Sequence, residues 1–330
     1  IVGVAISLSF SRRIAAGALR GDLLRKIVTR SVLIFICGLF LNGFPFGIPF
    51  NADAAATFSW SNLPGSLENL RIPGVLQRIA LCYLLAGLTV VLAGRDRTRI
   101  LVGVGFLFAY ELLMRLPLVS GWGAGSFALA DNFVRWVDLR FLGEVHLYRT
   151  GEMAFDPEGL VSTLPAATTT LAGYFAGRLL TGPRDMKVRL GTLTRWGAAG
   201  VLAGGATCLL EPVNKQLWTV SYVLVTGGLA LVSLAGAVWM IDVRNWRVGT
   251  RPAVVFGSNP LVAFLGSGLL ARILILVRCP DGEGGTRSLK SLLYADVFSA
   301  VGGPVGGSVL FAVFTVLLWL AIMWVMYKRR

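Results

Sequence analysis

Two arginines and a glutamine stand where the chain enters a long apolar run, in LENLRIPGVLQRIALCYLLAGLTVVLAG, Leu67 to Gly94. Pro73 suits the first turn of a helix, where its missing N–H costs no bond. Arg71 and Arg78 lie two turns apart, so on a continuous helix both point the same way. A guanidinium inside a bilayer costs about 2.5–3.5 kcal/mol on insertion scales. Arg78 is therefore expected to snorkel to the interface, to pair with an acid, or to bind an anion or orient a substrate in a polar cavity. Gln77 stands beside it as a further donor.

The acids that could meet these arginines open the stretch FDPEGLVSTLPAATTTLAGYFAG, Phe155 to Gly177. Asp156 reads as an N-cap, Pro157 as the first helical residue and Glu158 as a first-turn anion favoured by the helix dipole. The two carboxylates either cap the helix or pair with Arg71 or Arg78. Ser162, Thr163, Thr168, Thr169 and Thr170 follow, with Pro165 to bend the helix. That composition suits a face lining a cavity or packed on another helix.

Three further stretches carry polar chemistry. In EPVNKQLWTVSY, Asn214, Lys215, Trp218, Ser221 and Tyr222 recur at helical spacing. They read either as an interfacial aromatic belt with a snorkelling lysine or as the wall of a sugar or cofactor site. Asn259, before Pro260 in GSNPLVAF, must find a hydrogen-bond partner within an apolar span, and interhelical glue is the commoner role. His146 is the sole histidine and could act as a general base near neutral pH, although a lone loop histidine is more often structural. Glu111 and Arg115 can pair one turn apart. The catalytic residue itself is not assigned. Four cysteines without a CxxC pair, and one histidine, indicate neither a disulfide framework nor a metal site.

The elements that must position these groups are membrane helices. Hydrophobic residues make up 55% of the 330 residues and charged ones only 15%, against about 25% in a soluble domain. Mean hydropathy is +0.71. The expected fold is all-α, a polytopic bundle with spans near 27–46, 73–94, 100–119, 159–181, 195–211, 216–240, 252–277 and 304–327. IVGVAISLSF, at about 1.5 Å per residue, reaches roughly half a bilayer core and reads as the tail of a helix whose beginning is absent.

Basic clusters such as Arg25, Lys26 and Arg30, or Arg95, Arg97 and Arg99, alternate with loops holding acids such as Asp53, Asp138, Glu144 and Glu283. This positive-inside pattern accounts for the net charge of +14 and leaves no signal for nucleic acid. It places the basic loops and the C-terminus in the cytoplasm. PVNK is so short that the spans it joins are expected to lie antiparallel. Gly200/Gly204, Gly302/Gly306 and Gly303/Gly307 are spaced for close helix packing.

RIPGVLQRIALCY, HLYRTGEMAFDPEGLVSTLPAATTTLAGYFAG, PVNKQLWTVSYVLVTGG and FGSNPLVAF together resemble the heparan-alpha-glucosaminide N-acetyltransferase family and its bacterial relatives. The resemblance runs in order from about Ile1 to Tyr327. It implies one transmembrane acyltransferase-like domain over residues 1–330, in a bacterial cytoplasmic (inner) membrane. It also implies acetyl-CoA as the cytoplasmic acetyl donor and the amine of a glucosamine-type amino sugar or glycan on the outer side as acceptor. No metal is implied. The lipid bilayer is the expected partner, with a homo-oligomer left open.

The family's histidine central to acetyl transfer lies in a segment before IVGVAISLSFSRR, which resembles the end of the family's second span. That histidine and its neighbouring asparagine have no counterpart here, and His146 matches a different family position. The chain thus reads as a fragment, or as an inactive truncated product. A multi-span transporter of a small sugar or anion is the competing class.

Overall fold

The computed structural model describes residues 1–46, 65, 67–116, 119, 122, 125–281 and 285–329. Asp53 and Glu283, and most of the loop after the second helix, lie outside the described residues. The chain divides into two units, residues 1–42 with 70–245 and residues 43–69 with 246–330.

The first unit contains α1 (Val2–Ala15), α2 (Arg20–Gly43), α3 (Val75–Leu92), α4 (Asp96–Arg115) and the short α5 (Phe133–Phe141). A 3-10 turn at Glu144–His146 follows, then an antiparallel hairpin of β1 (Arg149–Thr150) and β2 (Met153–Ala154). Next come α6 (Thr163–Thr181), α7 (Met186–Thr207) and α8 (Val220–Val238), the last widening into a π turn at Trp239–Val243. α6 packs on α1, α3, α4, α7 and α8.

Small residues allow that central position. A Cβ on Gly3 would lie 1.9 Å from the Thr170 carbonyl oxygen, and one on Gly177 would lie 2.9 Å from Ser7 Cβ. Thr168 Oγ1 donates to the Gly103 carbonyl of α4 at 2.9 Å. Ile6, Phe10, Leu23, Ile27, Tyr83 and Leu171 form one buried cluster, and Tyr110, Met114, Val134, Phe155 and Leu217 another. Tyr110 also donates to the Leu217 carbonyl at 2.9 Å, which anchors the connection before α8.

α7 and α8 run antiparallel, as the short connection predicts. Gly197 faces Gly228 and Val232, Gly200 faces Leu224 and Gly228, and Gly204 faces Val225. The Gly200/Gly204 pattern is a packing seam.

The second unit holds α9 (Thr250–Ser258) and α10 (Pro260–Leu276), bent by 83°. An antiparallel hairpin of β3 (Arg278–Pro280) and β4 (Thr286–Ser288) leads to α11 (Leu289–Leu292). A π turn at Leu293–Ser299 then opens α12 (Ala300–Lys328). Gly303 sits at φ 66°, a left-handed conformation that glycine adopts without strain, and breaks α12 just before Pro304. A Cβ on Gly302 would meet Gly307 N at 2.8 Å, and one on Gly307 would meet Ser299 Cα at 2.7 Å. These glycines close a kink, whereas the spacing alone suggested a packing seam between helices.

The fold expectation is met in part. The described residues are mostly helical, but two hairpins break the all-α pattern. Three helices among them are long and apolar enough to cross a membrane: Val75–Leu92, Val220–Val243 and Leu289–Lys328. The bent pair Thr250–Ser258 and Pro260–Leu276 would make a fourth. The expected span 252–277 is thus two helices, because Asn259 leaves helical geometry at φ −140° and ψ 56°. The charges of α2 lie in its first half (Arg25, Lys26 and Arg30 among them), and those of α4 lie at its two ends (Asp96, Arg97 and Arg99; Glu111 and Arg115).

Candidate functional site

The polar residues gather where α3 meets the turn before α6. Arg71 lies ahead of α3. Its Nε donates to Asp156 Oδ2 and its Nη2 to Asp156 Oδ1, each at 2.8 Å, a two-pronged pair. Nη2 also donates to Glu158 Oε2 at 2.8 Å, and the guanidinium carbon sits 4.9 Å from the Tyr148 ring centre. The Asp156 side chain is fully buried, and it also accepts from the backbone N–H groups of Tyr148 and Glu158, each at 3.0 Å. Burial lowers the Arg71 pKa, but the hydrogen bonds and charge of Asp156 and the charge of Glu158 outweigh it and raise the value above the ordinary one.

Arg78 is one turn into α3 and only 6% exposed. Its Nη2 donates to the Pro157 carbonyl and to Ser162 Oγ. Its guanidinium carbon lies 4.8 Å from the Trp218 ring centre, a desolvated cation–π contact worth about 2 kcal/mol. Arg71 and Arg78 therefore grip one turn, residues 156–162, from two sides. They do not share a continuous helix, because α3 begins only at Val75.

Two further expectations about this turn change. Asp156 does not cap α6, whose first residue is Thr163. It caps its own turn instead, and so turns its carboxylate to Arg71. Pro165 falls in the first turn of α6, where its missing N–H disturbs no helical bond, so it puts no bend in mid-helix.

Trp218 is held at φ 57°, a conformation costing an L-residue about 1–2 kcal/mol. Asn214 helps impose it, since its Oδ1 accepts from Gln216 N at 2.8 Å and Leu217 N at 3.3 Å. Thr219 Oγ1 bridges the same turn by donating to the Pro212 carbonyl at 2.9 Å. Trp218 packs edge-on against Tyr222 at 5.1 Å. Lys215 is exposed on that turn. Glu211, 4% exposed, accepts from the Ser221 N–H at the start of α8.

The other predicted residues go elsewhere. Gln77 is buried on the α2 side of α3. Its Oε1 lies 2.3 Å from where a Cβ on Gly38 would stand and 2.7 Å from one on Gly74. Nearby, Asn42 Nδ2 donates to the carbonyls of Arg71 and Pro73, at 3.0 and 2.9 Å, and so fixes the approach to α3. His146 Nδ1 lies 2.7 Å from the Leu70 carbonyl and must donate there, because a carbonyl only accepts. That bond settles the tautomer and leaves Nε2 as the acceptor nitrogen. Asn259 belongs to the second unit. Glu111 and Arg115 pair at 2.7 Å, as their spacing predicts. Among the described residues no three His, Cys, Asp or Glu side chains come together as a metal site.

Asp138, on α5, carries no motif that singles it out. It is fully buried; Oδ1 accepts from Leu160 N at 2.9 Å, and Oδ2 has no partner. Burial pushes its carboxyl up to about 7, opposed by the Leu160 N–H and the Arg78 charge and reinforced by Asp156. An unfolded aspartate titrates near 3.9. Between those values the folded chain holds the extra proton, so stability falls as pH rises from about 4 to 7. Asp138→Asn is expected to remove that fall. Thermal unfolding in detergent should give near-equal midpoints at pH 4 and a higher midpoint for the variant at pH 8. A variant that is less stable at pH 8 would contradict the assignment.

Apolar helices long enough to span a bilayer, with a charged cluster buried at the mouth of one of them, define a helical integral membrane protein. No family model matches the chain. The heparan-alpha-glucosaminide N-acetyltransferase of Homo sapiens is 26% identical in an alignment of 316 positions that covers 81% of this chain and 45% of that protein. The enzyme of the same name from Mus musculus is 24% identical in an alignment of 319 positions that covers 82% of this chain and 46% of that protein. The chain is related to these acetyltransferases, and it spans less than half the length of the curated relatives it matches.

Proposed function

We propose that residues 1–330 form a transmembrane acyltransferase domain that moves an acetyl group from acetyl-CoA to the amine of a glucosamine-type sugar. The observation that supports this most is the relationship to acetyltransferases across 81% of the chain. In this reading the expected spans form one bundle in a bacterial inner membrane. Its basic loops face the cytoplasm, and the cluster faces outward.

Acyl transfer needs both substrates held together in a water-poor site. Glu158, with 19% of its side chain exposed, is the more open of the two acids and takes the sugar ammonium. Asp156 is fully engaged and keeps Arg71 in place. Below the C-terminal end of α3 a cavity of about 630 Å³ is lined by Arg20, Arg99, Arg178 and Tyr174 among others, with Asp96 on the same wall paired to Arg99 and Arg178. Arg99 Nε is buried there without a partner. These arginines suit the phosphates of CoA, which leaves the thioester to reach along α3, about 20 Å from Val91 to Arg78 at 1.5 Å per residue. The base that takes the amine proton is assigned to no residue of this chain; His146 is a candidate only through its acceptor Nε2.

The test uses protein in liposomes with labelled acetyl-CoA on one side and glucosamine on the other. Labelled N-acetylglucosamine supports the reading. Unmodified sugar crossing the membrane without acetylation would make the protein a transporter and sink it.

A further inference from the structure

Arg78 Nε and Trp218 Nε1 are two buried hydrogen-bond donors with nothing to donate to. Both side chains line one cavity of about 170 Å³. Arg78 has already committed Nη2 to Pro157 and Ser162, so Nε is a separate donor edge. An indole N–H can only donate. Burying such groups unpaired costs stability, and Trp218 is in addition held in a left-handed conformation.

No other side chain on the wall has a donor to spare for an incoming acceptor. Thr169 and Thr170 donate to carbonyls of their own helix, those of Pro165 and Ala166. Cys82 Sγ faces the Thr163 carbonyl at 3.9 Å. No carboxylate side chain lines this cavity, and Arg78 is the one charged side chain on its wall. The wall thus offers two donors, a positive charge and otherwise apolar surface to a small group that bears an oxygen.

The geometry points to Arg78 Nε and Trp218 Nε1 as a two-donor cradle for the carbonyl oxygen of an acyl thioester. This rests on the acyl-transfer reading above. As the amine nitrogen attacks the carbonyl carbon, a C–N bond forms and the π pair moves onto the oxygen, where both donors meet the developing charge. Collapse restores the C=O bond and breaks the C–S bond. The proton released from nitrogen ends on the departing sulfur, giving an amide and a free thiol.

Trp218→Phe keeps an aromatic ring beside Arg78 and removes the N–H with part of the indole, so a probe without the carbonyl is needed to read the effect of the smaller ring. Two non-transferable probes are titrated against the full chain: a methyl-ketone analogue of acetyl-CoA with methylene in place of sulfur, and its counterpart with the carbonyl also replaced by methylene. The unsubstituted protein is expected to bind the ketone about 10-fold more tightly. Trp218→Phe should erase that preference and leave the carbonyl-free probe unaffected. In turnover, kcat should fall about 10²-fold with the KM for the amine unchanged, the usual size for one lost oxyanion donor. A preserved ketone preference, or equal weakening of both probes, would overturn the cradle while leaving acyl transfer standing. If the unsubstituted protein bound neither probe, the acyl-transfer reading would fall and the cradle with it.

Discussion

Arg78→Ala is expected to reduce acetyl transfer by at least about 10²-fold, the largest effect of any single change in this chain. The substitution removes three things together. Pro157 O and Ser162 Oγ lose their donor, the cation–π contact to Trp218 disappears, and the cavity loses its charge. Leaving buried acceptors unpaired costs about 1–3 kcal/mol each, so the turn 156–162 should also loosen. Arg78→Lys separates charge from geometry. A lysine keeps the charge but cannot reach Pro157 and Ser162 while presenting a second donor edge, so rescue should be slight. The measurement is labelled acetyl transfer in liposomes, normalised to folded protein by size-exclusion in detergent. If Arg78→Ala folded normally and transferred acetyl at the unsubstituted rate, Arg78 would have no part in the site.

Breaking the Arg71–Asp156 pair should give the next largest effect, this time on stability. Asp156→Ala removes the acceptor of both Arg71 forks and of two backbone N–H groups, and its side chain is fully buried. Losing one partner of such a pair costs about 3 kcal/mol, because the other charge stays partly buried, Arg71 keeping only Glu158 and Asp156 only two backbone N–H groups. Arg71→Ala should cost a similar amount. Each side chain is the other's main partner, so the double variant should be little worse than either single one, and the cycle should show a coupling of about 2–3 kcal/mol. Chemical unfolding in detergent micelles measures it. Simple additivity of the two single losses would show that the pair is incidental and that Glu158 or Tyr148 holds the turn.

Much of the molecule is legible in the order of its residues. Apolar runs between basic clusters mark the helices, because hydropathy and loop charge are local quantities. The antiparallel α7–α8 pair follows from a four-residue connection and glycines at close-packing spacing. The stretches holding Arg71, Arg78, Asp156, Glu158 and Trp218 stand out as polar residues in apolar surroundings, and the same stretches carry the family likeness.

Other features depend on contacts far apart in the chain. Arg71 meets Asp156 across 85 residues, and no local pattern says that Asp156 will cap its own turn instead of α6. Gln77 and Arg78 are neighbours in the chain, yet Gln77 is directed to Gly38 and Arg78 to Ser162, because successive helical residues point about 100° apart and different helices flank α3. Asp138 has no motif at all; its buried carboxyl matters only because the turn of residues 156–162 folds over it. What the sequence by itself determined was which residues enter the apolar layer and which polar groups go with them, since the cost of burying charge acts residue by residue. Only the tertiary structure decided which of those groups face one another, since a partner is set by how helices distant in the chain pack together.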